Sequence, residues 1–150
     1  MRLERWRSPL TVLVAAAGLA DSVYLTIAHY ADAPLACANT GAVNCDLVTR
    51  SSYGTLGETG VPVSLTGVAW FAVALAIALW LWLRPGLRPA LALLGWSAIG
   101  IAVVVYLVYV ELVRLHHLCE WCTGVHLAVA VLLLLAISSA QDSPRRAAEA

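Results

Sequence analysis

The sequence predicts an all-α membrane protein: a four-transmembrane-helix bundle capped by an extracytoplasmic loop that contains a short helix. Three observations carry this. Hydrophobic residues make up 61% of the chain and charged residues only 12%, with a mean hydropathy of +0.83, whereas soluble domains carry about 25% charged residues. The apolar residues gather in four runs near the ~20-residue length that crosses a bilayer as a helix. Polar, turn-forming segments separate the runs. This composition excludes an ordinary soluble enzyme and equally excludes disorder. Nine basic residues, all arginine, balance nine acidic ones, so no basic patch points to nucleic acid. A length of 150 residues suits one domain, and residues 1–150 are read as one.

The first span covers about 9–30 and is interrupted by Asp21. Three arginines, an apolar stretch and Ala15-Ala16-Ala17 resemble a cleavable signal, but the run resumes past Asp21 and is too long for a signal core. Residues 31–61 form a long external loop. The second span runs from Pro62, suited to the first turn of a helix, to about residue 83. Residues 84–89, Arg-Pro-Gly-Leu-Arg-Pro, break the helix with two charges. The third span covers about 90–113 and the fourth about 118–139, followed by a polar tail at 141–150 expected to fray.

Orientation follows from the arginines in the flanks. Four spans put both termini on the side of the 84–89 turn. That side holds Arg2, Arg5, Arg7, Arg84, Arg88, Arg145 and Arg146, against Arg50 and Arg114 on the other. Both termini are therefore expected in the cytoplasm. Trp6, Trp80, Trp82 and Trp96 then fall at the cytoplasmic headgroup level as an aromatic belt.

On this topology all four cysteines face the external side, where disulfides persist. Cys37 and Cys45 lie in the long loop, and Cys119 and Cys122 form Cys-Glu-Trp-Cys at the start of span four. A disulfide closing so short a loop contributes little stability. At a helix start, free N–H groups and the dipole favour the thiolate that drives exchange. Asn44 is a good N-cap, so residues 45–51 read as a short helix with Leu47, Val48 and Ser51 toward the bundle and Arg50 in solvent. Two pairs suggest an electron relay, the outer pair meeting a soluble partner. Four cysteines allow three connectivities, and the sequence does not choose among them. A static staple for Cys37–Cys45, inert bridges at both pairs, and a metal site built from His116, His117, Cys119 and Cys122 are the competing readings. No βαβ pattern surrounds the Cys-x-x-Cys, which excludes a thioredoxin fold.

A thiol relay needs an acceptor. No nucleotide fingerprint and no haem-attachment motif is present, leaving a lipid-soluble quinone in a pocket between helices near Cys122. His126, four residues after Cys122, shares its helix face and either bonds a quinone carbonyl or links to a neighbouring helix. Asp21 is an ionisable residue inside a span, open to pairing with Ser or Tyr across the bundle. Glu111 and Arg114, spaced i, i+3, read as an interfacial ion pair. Tyr24, Tyr106 and Tyr109 read as packing.

The chain resembles the vitamin K epoxide reductase family in its short bacterial form, over about residues 10–139. The resemblance rests on the order of motifs. Cys37 and Cys45 have the family's seven-residue gap. Ser51 follows where the family carries a functional Ser or Thr, and Tyr53-Gly54 stands at an aromatic-Gly pair. Pro62 and Gly67 open span two, and Cys119-x-x-Cys122 opens span four.

The resemblance implies a four-helix bundle that holds a quinone, either ubiquinone or menaquinone (vitamin K). It implies electron flow from a partner thiol through Cys37 and Cys45 to Cys119 and Cys122. Cys122 would stand beside the quinone, and Ser51 would bond near the reduced ring. Two departures weaken epoxide reduction as the natural activity, which stays as the alternative on the same site. His126 replaces the Tyr of vertebrate members, and an apolar residue near Val63 replaces their quinone-binding Asn. Many bacterial relatives carry a fused thioredoxin-like domain that these 150 residues lack, so the expected partner is a separate thioredoxin-fold, DsbA-like protein. The expected role is a quinone-dependent thiol oxidase of the bacterial inner membrane that drives disulfide formation in exported proteins. DsbB proteins share that chemistry but carry the Cys-x-x-Cys in the first external loop, the reverse of the order here.

Overall fold

The computed structural model describes residues 2–148 apart from Asn39, and all their side chains except those of residues 2–5, 58 and 143–148. Arg2, Arg5, Arg145 and Arg146, used above for orientation, therefore lie outside the described side chains. The architecture is all-α. Helix α1 spans Arg2–Tyr30, a short α2 spans Cys45–Thr49, α3 Val63–Leu83, α4 Leu87–Tyr109 and α5 Glu120–Ala148. A 3-10 turn, Gly57–Thr59, precedes α3, and a π-helical turn, Val110–Leu115, extends α4. Among the described residues only isolated β-bridges occur, with no strands. Four of the helices are long and apolar enough to cross a membrane, so the chain is a multi-pass membrane protein.

The long helices overrun their apolar cores. Helix α1 continues through Pro9, and α5 stays helical to Ala148 rather than fraying at 141. An ion pair between Arg7 and Asp142 ties these two extensions together, which favours helix beyond the apolar run. Pro62 is the N-cap of α3, one position before the first turn, and is fully buried.

Helix α1 packs on α3 and α5, and α4 packs on α5 and α3, giving a closed ring of four. Lipid is as apolar as leucine, so helices associate through close packing of small residues and through polar links. Ala15, Ala74, Ala78 and Ala90 are fully buried, while Leu13, Ile27, Leu127 and Leu134 point outward, each more than 60% exposed. Thr26 donates to Ser64 Oγ across α1 and α3 at 3.0 Å. Two glycines set the closest approaches. A Cβ on Gly18 would stand 2.1 Å from the Phe71 ring, and one on Gly100 would stand 2.4 Å from Trp70.

Trp96 departs from the expected belt. It stacks on Trp70 with ring centroids 6.0 Å apart and donates its indole N–H to the Trp70 carbonyl at 3.1 Å. A partner for the indole N–H inside the bundle outweighs a place at the headgroups. Trp6, Trp80 and Trp82 do stay exposed.

Gly18→Val should weaken the α1–α3 seam by about 1–3 kcal/mol, the usual cost of overpacking, and lower the thermal unfolding midpoint in detergent. Gly95→Ala, where an added Cβ meets nothing within 4 Å, should leave that midpoint unchanged.

Candidate functional site

At the loop end of the bundle the four cysteines form two disulfides, Cys37–Cys45 and Cys119–Cys122, with Cα separations of 6.1 and 5.1 Å. The choice among connectivities left open by the sequence is thus made by the fold. Cys45 and Cys119 are both fully buried and belong to one apolar cluster with Leu25, Ala28, Leu35 and Val48, against which Cys37 and Cys122 also pack.

Each cysteine is set by its own stretch of chain. Asn44 caps α2, its side chain accepting the Leu47 N–H at 2.9 Å, which places Cys45 at the helix start with its side chain inward. Of the face expected to point at the bundle, Val48 is buried, whereas Leu47 is 40% exposed. The helix lasts only five residues, too short to bury three positions on one side. Cys119 stands immediately before α5, and its Sγ accepts the N–H of Cys122 at 3.1 Å. A sulfur in the place of an N-cap oxygen lies where the helix terminus stabilises negative charge.

The loop is stitched to the start of α5. Val43 and Leu118 form a parallel bridge, with Asn44 N–H donating to Leu118 O at 3.0 Å and Leu118 N–H to Ala42 O at 2.8 Å. The two residues between the inner cysteines hold the segment around Cys37. Trp121 donates its indole N–H to Ala36 O at 2.7 Å, and Glu120 accepts the Ala38 N–H at 3.2 Å. Tyr24 of α1, expected only to pack, accepts the Ala36 N–H at 3.1 Å and sets its ring 4.7 Å from that of Trp121. The position of Glu120 and Trp121 inside the Cys-x-x-Cys was the available signal for their role; Tyr24 offered none.

Arg50 is exposed, as expected, and also holds the loop. It pairs with Asp32 and bonds Ala33 O at 3.2 Å, anchoring α2 to the end of α1. The hydrogen bond and charge of Arg50 hold the Asp32 carboxyl below its usual range.

Below this layer lies a cavity of about 250 Å³ bounded by all four long helices, the loop and the π-turn. Cys122 and His126 line it, joined by Thr49, Tyr53, Val63, Ser64, Trp70 and Glu111. Ser51 is not among its lining residues; the Ser51 hydroxyl donates to Val48 O at 2.7 Å, and Thr49 takes the position on the wall. Two donors on the wall, Ser22 Oγ and Trp70 Nε1, are buried without a hydrogen-bond partner among the described residues. Orphaned buried donors are costly unless a ligand meets them. Their setting, in a mostly apolar chamber, fits a flat ring with carbonyl acceptors.

Three other expectations resolve differently. Glu111 and Arg114 do not pair: the π-turn separates them, Arg114 lies 5.7 Å above the Tyr53 ring, and Glu111 is buried. Asp21 meets neither Ser nor Tyr; its carboxylate lies against Gly124 of α5, with Oδ1 lacking a partner among the described residues. His116 and His117 do not converge with Cys119 and Cys122. Among the described residues, the ligand-type atoms that do cluster, within 4.8 Å, are those of Cys37, Cys45 and Glu120.

A membrane-embedded helical ring with two disulfides at its mouth, one beside an apolar cavity, defines a thiol–disulfide redox protein. The sequence model of the vitamin K epoxide reductase family matches residues 9–137, and the chain belongs to that family. Membership makes it a redox enzyme of the thiol–disulfide oxidoreductase or quinone reductase kind. No curated protein matches the sequence.

Trp121→Phe removes one hydrogen bond from the Cys37 segment. At about 1 kcal/mol for such a bond, reduction of Cys37–Cys45 by a small dithiol should speed up about fivefold, measured by timed alkylation and mass spectrometry. A second test uses pH. Because Asp32 is held below its ordinary value, its pair with Arg50 secures the loop above about pH 4 and is lost as pH falls through the lowered value. The rate of loop-disulfide reduction by a phosphine in Asp32→Asn relative to wild type should exceed one at neutral pH and return to one in acid.

Proposed function

We propose that the chain is a quinone-dependent thiol oxidase that reoxidises a separate thioredoxin-fold, DsbA-like protein and so supports disulfide formation in exported proteins. In this reading it lies in a bacterial cytoplasmic membrane, with both termini cytoplasmic and the cysteines outside. The observation that carries the proposal is that Cys45 and Cys119, both fully buried, belong to one cluster, with Cys122 opening on the cavity beyond.

The sequence of exchanges follows from exposure. Cys37 is half-buried while Cys45 is fully buried, so a partner thiolate attacks Cys37 and releases Cys45. Cys45 attacks Cys119, releasing Cys122 as a thiolate at the cavity wall. The partner's second thiol then frees Cys37, which closes on Cys45 and leaves Cys119 and Cys122 both reduced. Two electrons and two protons have moved from the partner to the inner pair, each step through a mixed disulfide. A quinone bound in the cavity supplies the acceptor for both electrons and both protons. Ser22, Trp70 and His126 are the wall residues suited to hold its carbonyls, and the apolar wall excludes water. The direction is sensible even for a strongly oxidising partner near about −120 mV, because a membrane quinone pool lies higher still.

Purified protein given a reduced DsbA-like protein and ubiquinone or menaquinone should consume quinone. Cys122→Ser should bring the rate to background with any donor. Cys37→Ser should abolish it with the protein donor while a small dithiol still works. Untouched quinone with intact wild-type cysteines would sink the proposal.

A further inference from the structure

Glu111 is a carboxyl group inside the third span with only 4% of its surface exposed. Its setting comes from the π-turn Val110–Leu115, a backbone form that appears often at functional sites. One carbonyl, that of Glu111, takes the N–H groups of both His116 and His117 as the chain turns through the left-handed His116, φ 55°. The chain then doubles back so that the Glu111 carboxyl accepts the backbone N–H of Cys119. Glu111 also lines the cavity that Cys122 lines. Among the described residues no cation pairs with it, since Arg114 is drawn to Tyr53. A carboxyl group is thus lodged in the protein interior, bonded to the backbone of one inner cysteine and facing the chamber of the other. Such a group is a functional candidate by default.

We propose that Glu111 is the proton-transfer residue of the inner cysteine pair, moving the Cys119 proton into the cavity. This rests on the cavity being the quinone site. Re-forming Cys119–Cys122 from two thiols releases two electrons and two protons. The electrons go to the quinone. The Cys119 proton passes to the Glu111 carboxylate and from there to the reduced quinone, and the Cys122 proton goes to it directly, since Cys122 itself borders the cavity. Cys119 is fully buried and has no such direct outlet, which is why its proton needs a carrier.

The test is made on purified full-length protein. With all disulfides reduced, the pH profile of Cys119 alkylation is followed by mass spectrometry and needs no quinone. The other titratable side chains on the cavity wall are His29 of α1, Tyr53 of the loop, and Cys122 and His126 of α5, and Glu120 adjoins Cys119; all are retained. Glu111→Gln keeps an acceptor for the Cys119 N–H but removes the charge. It should shift the Cys119 profile downward by about one pH unit, as loss of a neighbouring like charge does. Quinone turnover should fall about a hundredfold, the scale of a lost proton-transfer group, with quinone affinity unchanged and partial rescue by Glu111→Asp. An unmoved alkylation profile overturns the proposal. So does unchanged turnover in Glu111→Gln, which leaves the cavity reading intact. Absent turnover in the wild type overturns the cavity reading and this proposal together.

Discussion

The structure depends on the stitch between the loop and the start of α5. Residues 42–44 and Leu118 pair through their backbones, and Trp121 and Glu120 hold the chain on either side of Cys37. Without these contacts the two cysteine pairs, more than seventy positions apart in sequence, would share a compartment but not a cluster. Main-chain pairing suits this task because every buried N–H and C=O must be satisfied anyway. The same bonds that meet that requirement bring Cys45 and Cys119 into one cluster.

Beneath the stitch, the bundle separates two kinds of packing. Outward faces are large and aliphatic, as a lipid boundary allows. Inward seams rely on glycine and alanine, with Gly18 and Gly100 letting aromatic rings reach the neighbouring backbone. Near the loop end this close packing gives way to a cavity, and the residues that leave it open, among them Ser22 and Trp70, carry polar atoms with nothing to bond. Stability and ligand fit therefore make opposite demands on the same four helices, and the fold meets them at different depths.

Much of this was legible in the sequence. The four helices follow from apolar runs of bilayer length, the capped α2 from Asn44, and the gathering of the cysteines at one end from their segregation in the sequence. The illegible parts share a cause: they depend on contacts between segments distant in sequence or on irregular backbone. A regular helix puts Glu111 and Arg114 on one face, and nothing local announces a π-turn that parts them. Trp96 left the expected belt because Trp70 offered its ring and carbonyl. Ser51 lost the cavity wall to Thr49 because α2 ends two residues sooner than expected. Tyr24 looked like filler until the loop folded back over it.

The gradient of exposure across the cysteines has a further consequence. Cys45 and Cys119 meet no solvent at all, while Cys37 is partly open. Any two-electron current through these sulfurs is therefore insulated along its middle, with one terminal in water and the other in oil. Small thiols dissolved outside find no access to the buried middle pair, Cys45 and Cys119. Such a conductor resists short circuits through the shape of its sheath, whatever the driving voltage.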